Sequence, residues 1–144
     1  MIIRRASVDD VLEIYNIELE CFDRPWSVDN ITGEILNPIS TYFVGELSGK
    51  VICYMGYQNI LSEGYVTNIA VRKNYRGLGY GKKMMEYFLE DCVKNKICAA
   101  SLEVAVKNER AIALYTKMGF EVKGLRKNYY GMDKDAYIMW KVLR

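Results

Sequence analysis

The stretch Arg76 to Cys92, RGLGYGKKMMEYFLEDC, crowds Gly77, Gly79 and Gly81 together and then turns at once into an amphipathic pattern. Met84, Met85, Phe88, Leu89 and Cys92 recur at helical spacing, which predicts a helix with one apolar face. Glycines let backbone N–H groups converge, and a helix N-terminus offers free amides and a favourable dipole, so such a loop suits an anion. Lys82 and Lys83 stand in the first turn, where acidic residues are normally favoured, and a bound polyphosphate would account for them. An ordinary glycine-rich turn is the bland alternative. The Walker nucleotide loop does not fit, because Arg76 occupies its first glycine position and Lys83 its Ser/Thr position. The dinucleotide pattern G-x-G-x-x-G fails at Lys82.

Upstream of the loop, IIRRA reads as a first strand, followed by Ser7 as a helix cap with Asp10 three residues on. The helix that follows is expected to end at Pro25, and Ser27 caps a second whose Val28, Ile31 and Ile35 share a face. TYFVGELSGKVICYMGYQNI reads as two strands joined at Ser48-Gly49, and Ser62-Glu63-Gly64 as a turn before YVTNIAV, giving three antiparallel strands. Downstream, SLEVAV is a strand with Leu102, Val104 and Val106 on one side, so strand, helix and strand imply a parallel pair. Asn108 caps a further helix carrying Ala111, Leu114, Tyr115 and Met118, which Gly119 stops. Two strand-like runs, FEVKGL and AYIMWKV, close the chain around a polar loop holding Tyr129 and Tyr130. The expected architecture is an α/β (α+β) single domain over residues 1–144, a central mixed sheet flanked by helices.

With 144 residues, 51% of them hydrophobic, the chain has the size and composition of one domain with a real core. Twenty Lys+Arg against 18 Asp+Glu leave a net charge of +2, so bulk electrostatics argue for neither nucleic acid nor an anionic membrane. No apolar run approaches the roughly 18 to 20 residues of a membrane span, and MIIRRASVDD lacks signal-peptide features, so a cytoplasmic location is expected. Cys21, Cys53, Cys92 and Cys98 are scattered and read as reduced thiols. The chain has no histidine, which excludes Ser-His-Asp and Cys-His nucleophile systems and any His-based zinc site; no metal is expected. Catalysis must use carboxylates, tyrosine, lysine, backbone dipoles or a bound cosubstrate.

Two residues suit such chemistry. Glu103 points opposite to Leu102 and Val104 in an otherwise apolar strand, where a carboxylate tends toward a raised pKa useful in a general base. A salt-bridged surface Glu on an edge strand would show the same pattern. Tyr115 lies on the apolar face of its helix, where a core aromatic is the bland alternative.

Arg76-Gly77-Leu78-Gly79-Tyr80-Gly81 resembles the R/Q-x-x-G-x-G/A signature of the GNAT family of N-acetyltransferases, whose loop holds the pyrophosphate of acetyl-coenzyme A. The order of elements matches that fold along essentially the whole chain. CFDRPWS (Cys21 to Ser27), NIAV (Asn68 to Val71), LEVAVKNERAIALYTKMGF (Leu102 to Phe120) and GLRKNYY (Gly124 to Tyr130) resemble the branch that acetylates protein N-termini. That branch usually acts on the N-terminal alanine of the eighteenth protein of the small ribosomal subunit, so the resemblance implies a protein or peptide N-terminus as partner.

The resemblance also implies roles. Glu103 would be the proton acceptor and Tyr115 the proton donor to the departing thiolate. Ile69, Ala70 and Val71 would hold the pantetheine arm, Arg76, Gly77, Leu78, Gly79, Tyr80, Gly81 and Lys82 the pyrophosphate, and Asn108 the coenzyme through its amide. Trp26, Tyr129 and Tyr130 would line the peptide entrance; otherwise they are a helix anchor and a pair of turn tyrosines. Lys134 departs from the family pattern, which more often has an acidic residue there, and this reversal would bear on acceptor preference. A small-molecule amine acetyltransferase and a noncatalytic acetyl-coenzyme A binding module are the alternative functions.

Overall fold

A computed structural model describes residues 1–144. In chain order it contains β1 (Ile2–Arg5), α1 (Val11–Cys21), α2 (Val28–Leu36), β2 (Ser40–Leu47), β3 (Lys50–Ile60), β4 (Glu63–Val71), α3 (Tyr80–Lys94), β5 (Ala99–Ala105), α4 (Glu109–Lys117), β6 (Glu121–Arg126) and β7 (Ala136–Val142). Start signals in the sequence act as expected. Ser7 and Asp10 form a reciprocal capping box ahead of α1, through a short 3-10 turn. Ser27 accepts from the Asn30 amide to start α2, and Asn108 accepts from the Ala111 amide to start α4. Gly119, at φ +94, ends α4 in a conformation that suits glycine.

The helix α1 stops at Cys21, before Pro25, and Phe22 is already extended. The β3–β4 turn falls on Leu61-Ser62, both in the left-handed region, so β4 starts at Glu63 and not after Gly64. Val106 lies just beyond β5.

All seven strands form one sheet in the order β1-β2-β3-β4-β5-β7-β6, antiparallel except for the β4–β5 pair. Strand alternation sends side chains into two apolar clusters, one on each face. Tyr42, Val44, Val51, Tyr54 and Ala70 pack with Val11, Ile14 and Ile17 of α1 and Ile31 of α2. Phe43, Met55, Tyr57 and Val66 pack on the other face with Met84, Met85, Phe88 and Cys92 of α3 and Tyr115 of α4.

Two features shape the centre of the sheet. First, β4 and β5 pair only from Glu63–Tyr65 against Ala99–Ser101, while β4 continues along β3 and β5 continues along β7. The sheet therefore opens between the second halves of β4 and β5. Second, the β3–β4 register skips Thr67. The Tyr42 hydroxyl meets both Thr67 Oγ1, at 2.9 Å, and Asn68 Oδ1, at 3.3 Å, so this bulge turns two successive side chains toward the α1–α2 face.

Candidate active site

On one side of the gap lies the glycine loop. Gly77 and Gly79 have φ of +77 and +89, and no side chain caps α3. None of the backbone N–H groups from Gly77 through Lys82 has an acceptor within the protein. Leu78 is exposed, and the loop is open to solvent. A run of free amides ahead of a long helix, with Lys82 and Lys83 beside it, has the makeup that suits an anionic group.

The end of β4 leads from this loop into the gap. Arg72 N donates to Ile52 O, so by alternation the N–H and C=O groups of Ile69 and Val71 turn away from β3, toward the opening. Ala70 faces the other way: its backbone pairs with Tyr54 and its side chain joins the α1–α2 cluster. Arg76 donates Nε to Val71 O at 3.0 Å, which braces the loop against the strand. Asn108 uses its carbonyl oxygen to cap α4, which leaves its NH2 group without a partner.

Glu103 sits on β5 across the gap, with its side chain only 5% exposed. Its carboxylate is not isolated among apolar groups, as the strand pattern suggests, because a polar cluster surrounds the head. The Tyr65 hydroxyl donates to Oε2, and Arg126 Nε lies 3.5 Å from Oε1. Tyr130 donates its hydroxyl to the Glu103 carbonyl at 3.3 Å, and the Tyr65 and Tyr129 hydroxyls are 3.5 Å apart. Arg126 also stacks on the Tyr129 ring, 5.5 Å from its centroid. The β6–β7 loop thus closes over Glu103 by two tyrosines. A hollow of about 400 Å³ extends from Glu103 and Tyr65 past Ser101 to Glu63 and Trp140.

The α1–α2 loop borders the same face. Trp26 is half-buried against the α1–α2 cluster, and its backbone N–H donates to Glu18 Oε1 at 2.9 Å. Glu18 is itself buried and accepts the Tyr54 hydroxyl.

Tyr115 is buried on α4 and packs edge-on against Phe120, with centroids 6.1 Å apart. Burial pushes its hydroxyl up to about 12, so it holds its proton at any working pH. Tyr130 is also pushed up to about 12, by burial first and then by Tyr129, Glu103 and Tyr115, which places it in electrostatic reach of both candidate catalytic groups. Burial and the Glu103 carboxylate raise Tyr65 further still.

Tyr65 and Arg126 were not among the residues singled out from the sequence. Tyr65 reaches Glu103 only because β4 and β5 are parallel and in register at Tyr65 and Ser101, and that register carries no local signature.

A loop of free amides and a braced carboxylate stand on opposite lips of a split sheet, an arrangement that suits a transferase in which donor and acceptor meet through the gap. Residues 11–120 match the model of the Acetyltransferase (GNAT) family. The chain belongs to that family, and is thus an acetyl-coenzyme A-dependent N-acetyltransferase. It is 36% identical over 140 residues to a Bacillus subtilis protein provisionally named ribosomal protein bS18-alanine N-acetyltransferase, covering 96% of this chain and 93% of the relative. It is 32% identical over 135 residues to the ribosomal protein bS18-alanine N-acetyltransferase of Escherichia coli, covering 90% and 89%. The crystal structure of the Escherichia coli ribosomal-protein-S18-alanine N-acetyltransferase superposes with a TM-score of 0.92 at 29% identity, over 99% of this chain and 93% of that one.

Proposed function

We propose that this chain, acting as a single domain over residues 1–144, transfers the acetyl group of acetyl-coenzyme A to the N-terminal α-amine of a protein. The acceptor proposed is the N-terminal alanine of ribosomal protein bS18, on which its relatives of similar length are named as acting. The observation that carries the reading is Glu103, a nearly enclosed carboxylate at the gap, held by Tyr65 and Arg126 and roofed by the loop of Tyr129 and Tyr130.

The residues present fit the cosubstrate. The free amides of Gly77, Leu78, Gly79, Tyr80, Gly81 and Lys82 suit its pyrophosphate, the backbone of Ile69 and Val71 its pantetheine arm, and the Asn108 NH2 its amide groups. When bound, acetyl-coenzyme A supplies a thioester whose acyl carbon is open to attack. Glu103 takes the proton of the acceptor ammonium, directly or through water, and the amine then attacks in a ternary complex with no covalent enzyme intermediate. Within the Asn68–Val71 segment, the backbone N–H groups that β3 does not use, those of Ile69 and Val71, would stabilise the oxyanion. Tyr115 offers its hydroxyl to the departing sulfur. With the tyrosine near 12 and a thiol near about 8.5, full proton transfer in the free-state environment would be uphill by about 5 kcal/mol. Tyr115 therefore acts as a hydrogen-bond donor whose proton moves only as the C–S bond breaks, and solvent restores it.

The chemistry favours an α-amine. At a pKa of about 7.7 to 8.0 it is substantially neutral near pH 7.5, whereas a lysine side chain at about 10.4 would cost roughly 4 kcal/mol to deprotonate. Trp26, Tyr129 and Tyr130 line the peptide entrance in this reading.

The test is thiol release from acetyl-coenzyme A with three kinds of acceptor: peptides beginning Ala-Arg or Ser-Arg, matched peptides with a blocked N-terminus and a free lysine, and small amines. Release only with free N-termini is expected. Release only with small amines would overturn the acceptor, and cofactor binding without release to any amine would overturn the catalytic reading.

A further inference from the structure

We infer that Arg110 is an additional phosphate ligand for the bound coenzyme, an inference that rests on the proposed use of the glycine loop for acetyl-coenzyme A. Arg110 lies in the first turn of α4, outside the loop motif. A methyl group built on Gly77 would meet its Nη2 at 3.6 Å, so the guanidinium stands beside the loop at Gly77, one side-chain atom's reach from its backbone.

The other arginines near the loop are engaged. Arg72 donates to Val51 O and pairs with Glu13 at 3.0 Å, and Arg76 donates to Val71 O. Arg110 has neither a hydrogen bond nor a carboxylate within ion-pair distance, Glu109 beside it included. Its position also runs against the helix dipole, which disfavours a cation in a first turn. Lys82 and Lys83 show the same inversion on α3. Two helices thus bring unpaired cations, at their positive ends, to one set of free amides. In the absence of an anion these charges repel one another and both dipoles; a phosphate attracts each of them and offsets that repulsion. A planar guanidinium also gives two parallel donors to phosphate oxygens, which the loop amides alone do not.

The test measures calorimetric affinity of wild-type protein, Arg110→Gln and Arg110→Lys for coenzyme A, its 3′-dephospho form and pantetheine. Arg110→Gln is expected to weaken coenzyme A about tenfold, with partial rescue in Arg110→Lys and no change for pantetheine. An equal loss with the dephospho form assigns the arginine to the pyrophosphate; a loss confined to coenzyme A assigns it to the 3′-phosphate. Lys117→Gln, at the far end of α4, removes the same charge and is expected to leave affinity within about twofold. Unchanged affinity in Arg110→Gln, or an equal loss with pantetheine, would overturn the inference. A wild-type protein that binds no coenzyme A would instead overturn the cofactor reading beneath it.

Discussion

Gly56→Ala tests whether the bulged centre of the sheet depends on one close contact. Gly56 sits in β3 opposite Tyr42, and a methyl group there would lie 2.2 Å from Tyr42 Cζ and 2.3 Å from Cε2. Ordinary contacts begin near about 3.5 Å, so the ring must retreat by more than an ångström. Tyr42 is buried, lies 6.4 Å from Tyr54 in a near-parallel stack, and fixes Thr67 and Asn68 by its hydroxyl. Overpacking costs about 1 to 3 kcal/mol and each weakened hydroxyl contact about 1 kcal/mol. The expected loss is about 3 to 5 kcal/mol, or roughly 10 to 15 °C in melting temperature for a chain of this size. Urea unfolding of Gly56→Ala, Tyr42→Leu and the double variant measures it. Because Tyr42→Leu vacates the space the new methyl needs, the double variant is expected to be more stable than the sum of the singles by about 1 kcal/mol or more. A Gly56→Ala protein within about 0.5 kcal/mol of wild type, or strict additivity, would refute the steric argument.

Glu103→Gln is expected to keep coenzyme A affinity and to lose about 10² to 10⁴-fold in turnover, and Tyr115→Phe to slow transfer; single-turnover rates at saturating cosubstrate check both. Because Tyr115 keeps its proton to about 12, kcat/KM is expected to rise as the acceptor amine deprotonates and to show no fall from this residue below about pH 10. Alkylation at pH 8 is expected to label Cys98 first, since it is exposed, whereas burial pushes Cys53 to about 11 and Cys92 to about 12; Cys98→Ser should remove the fast phase. The Arg4 guanidinium, 2.7 Å away, holds the Asp10 carboxyl below its ordinary 3.8. Its stabilisation is therefore complete above that value and lost as pH falls through the folded pKa, so the stability gap between wild type and Asp10→Asn should close below about pH 4 in an unfolding series.

Most elements were legible because each carries a local signal. Ser7 with Asp10, Ser27 and Asn108 mark helix starts; Gly119 marks a stop; Met84, Met85, Phe88 and Cys92 show the buried face of α3. Pro25 misled as an end point for α1, since the chain leaves the helix at Phe22, four residues before Trp26 is tied back to Glu18. The lateral order of strands was not legible. Nothing in AYIMWKV states that it inserts beside β5 and displaces β6 to the edge. The same holds for the candidate site. Glu103 is visible as an acidic residue in an apolar strand, but Tyr65 and Arg126 reach it through pairings set by the whole sheet. The environment of Glu103 is accordingly polar where alternation alone implied apolar.

The placement of β7 has a consequence for the order in which the molecule is made. Synthesis runs from N- to C-terminus, so β5, with Glu103, and the loop of Tyr129 and Tyr130 emerge while the strand between β5 and β6 is still missing. Until residues 136–142 arrive, β6 has no sheet neighbour and β5 presents a bare edge along the length that β7 later covers. A nascent chain short of β7 exposes an edge of the kind that pairs with other chains. It also lacks the frame that brings Arg126 and Tyr130 to Glu103, so the candidate site and the protection of that edge are completed together, when β7 emerges.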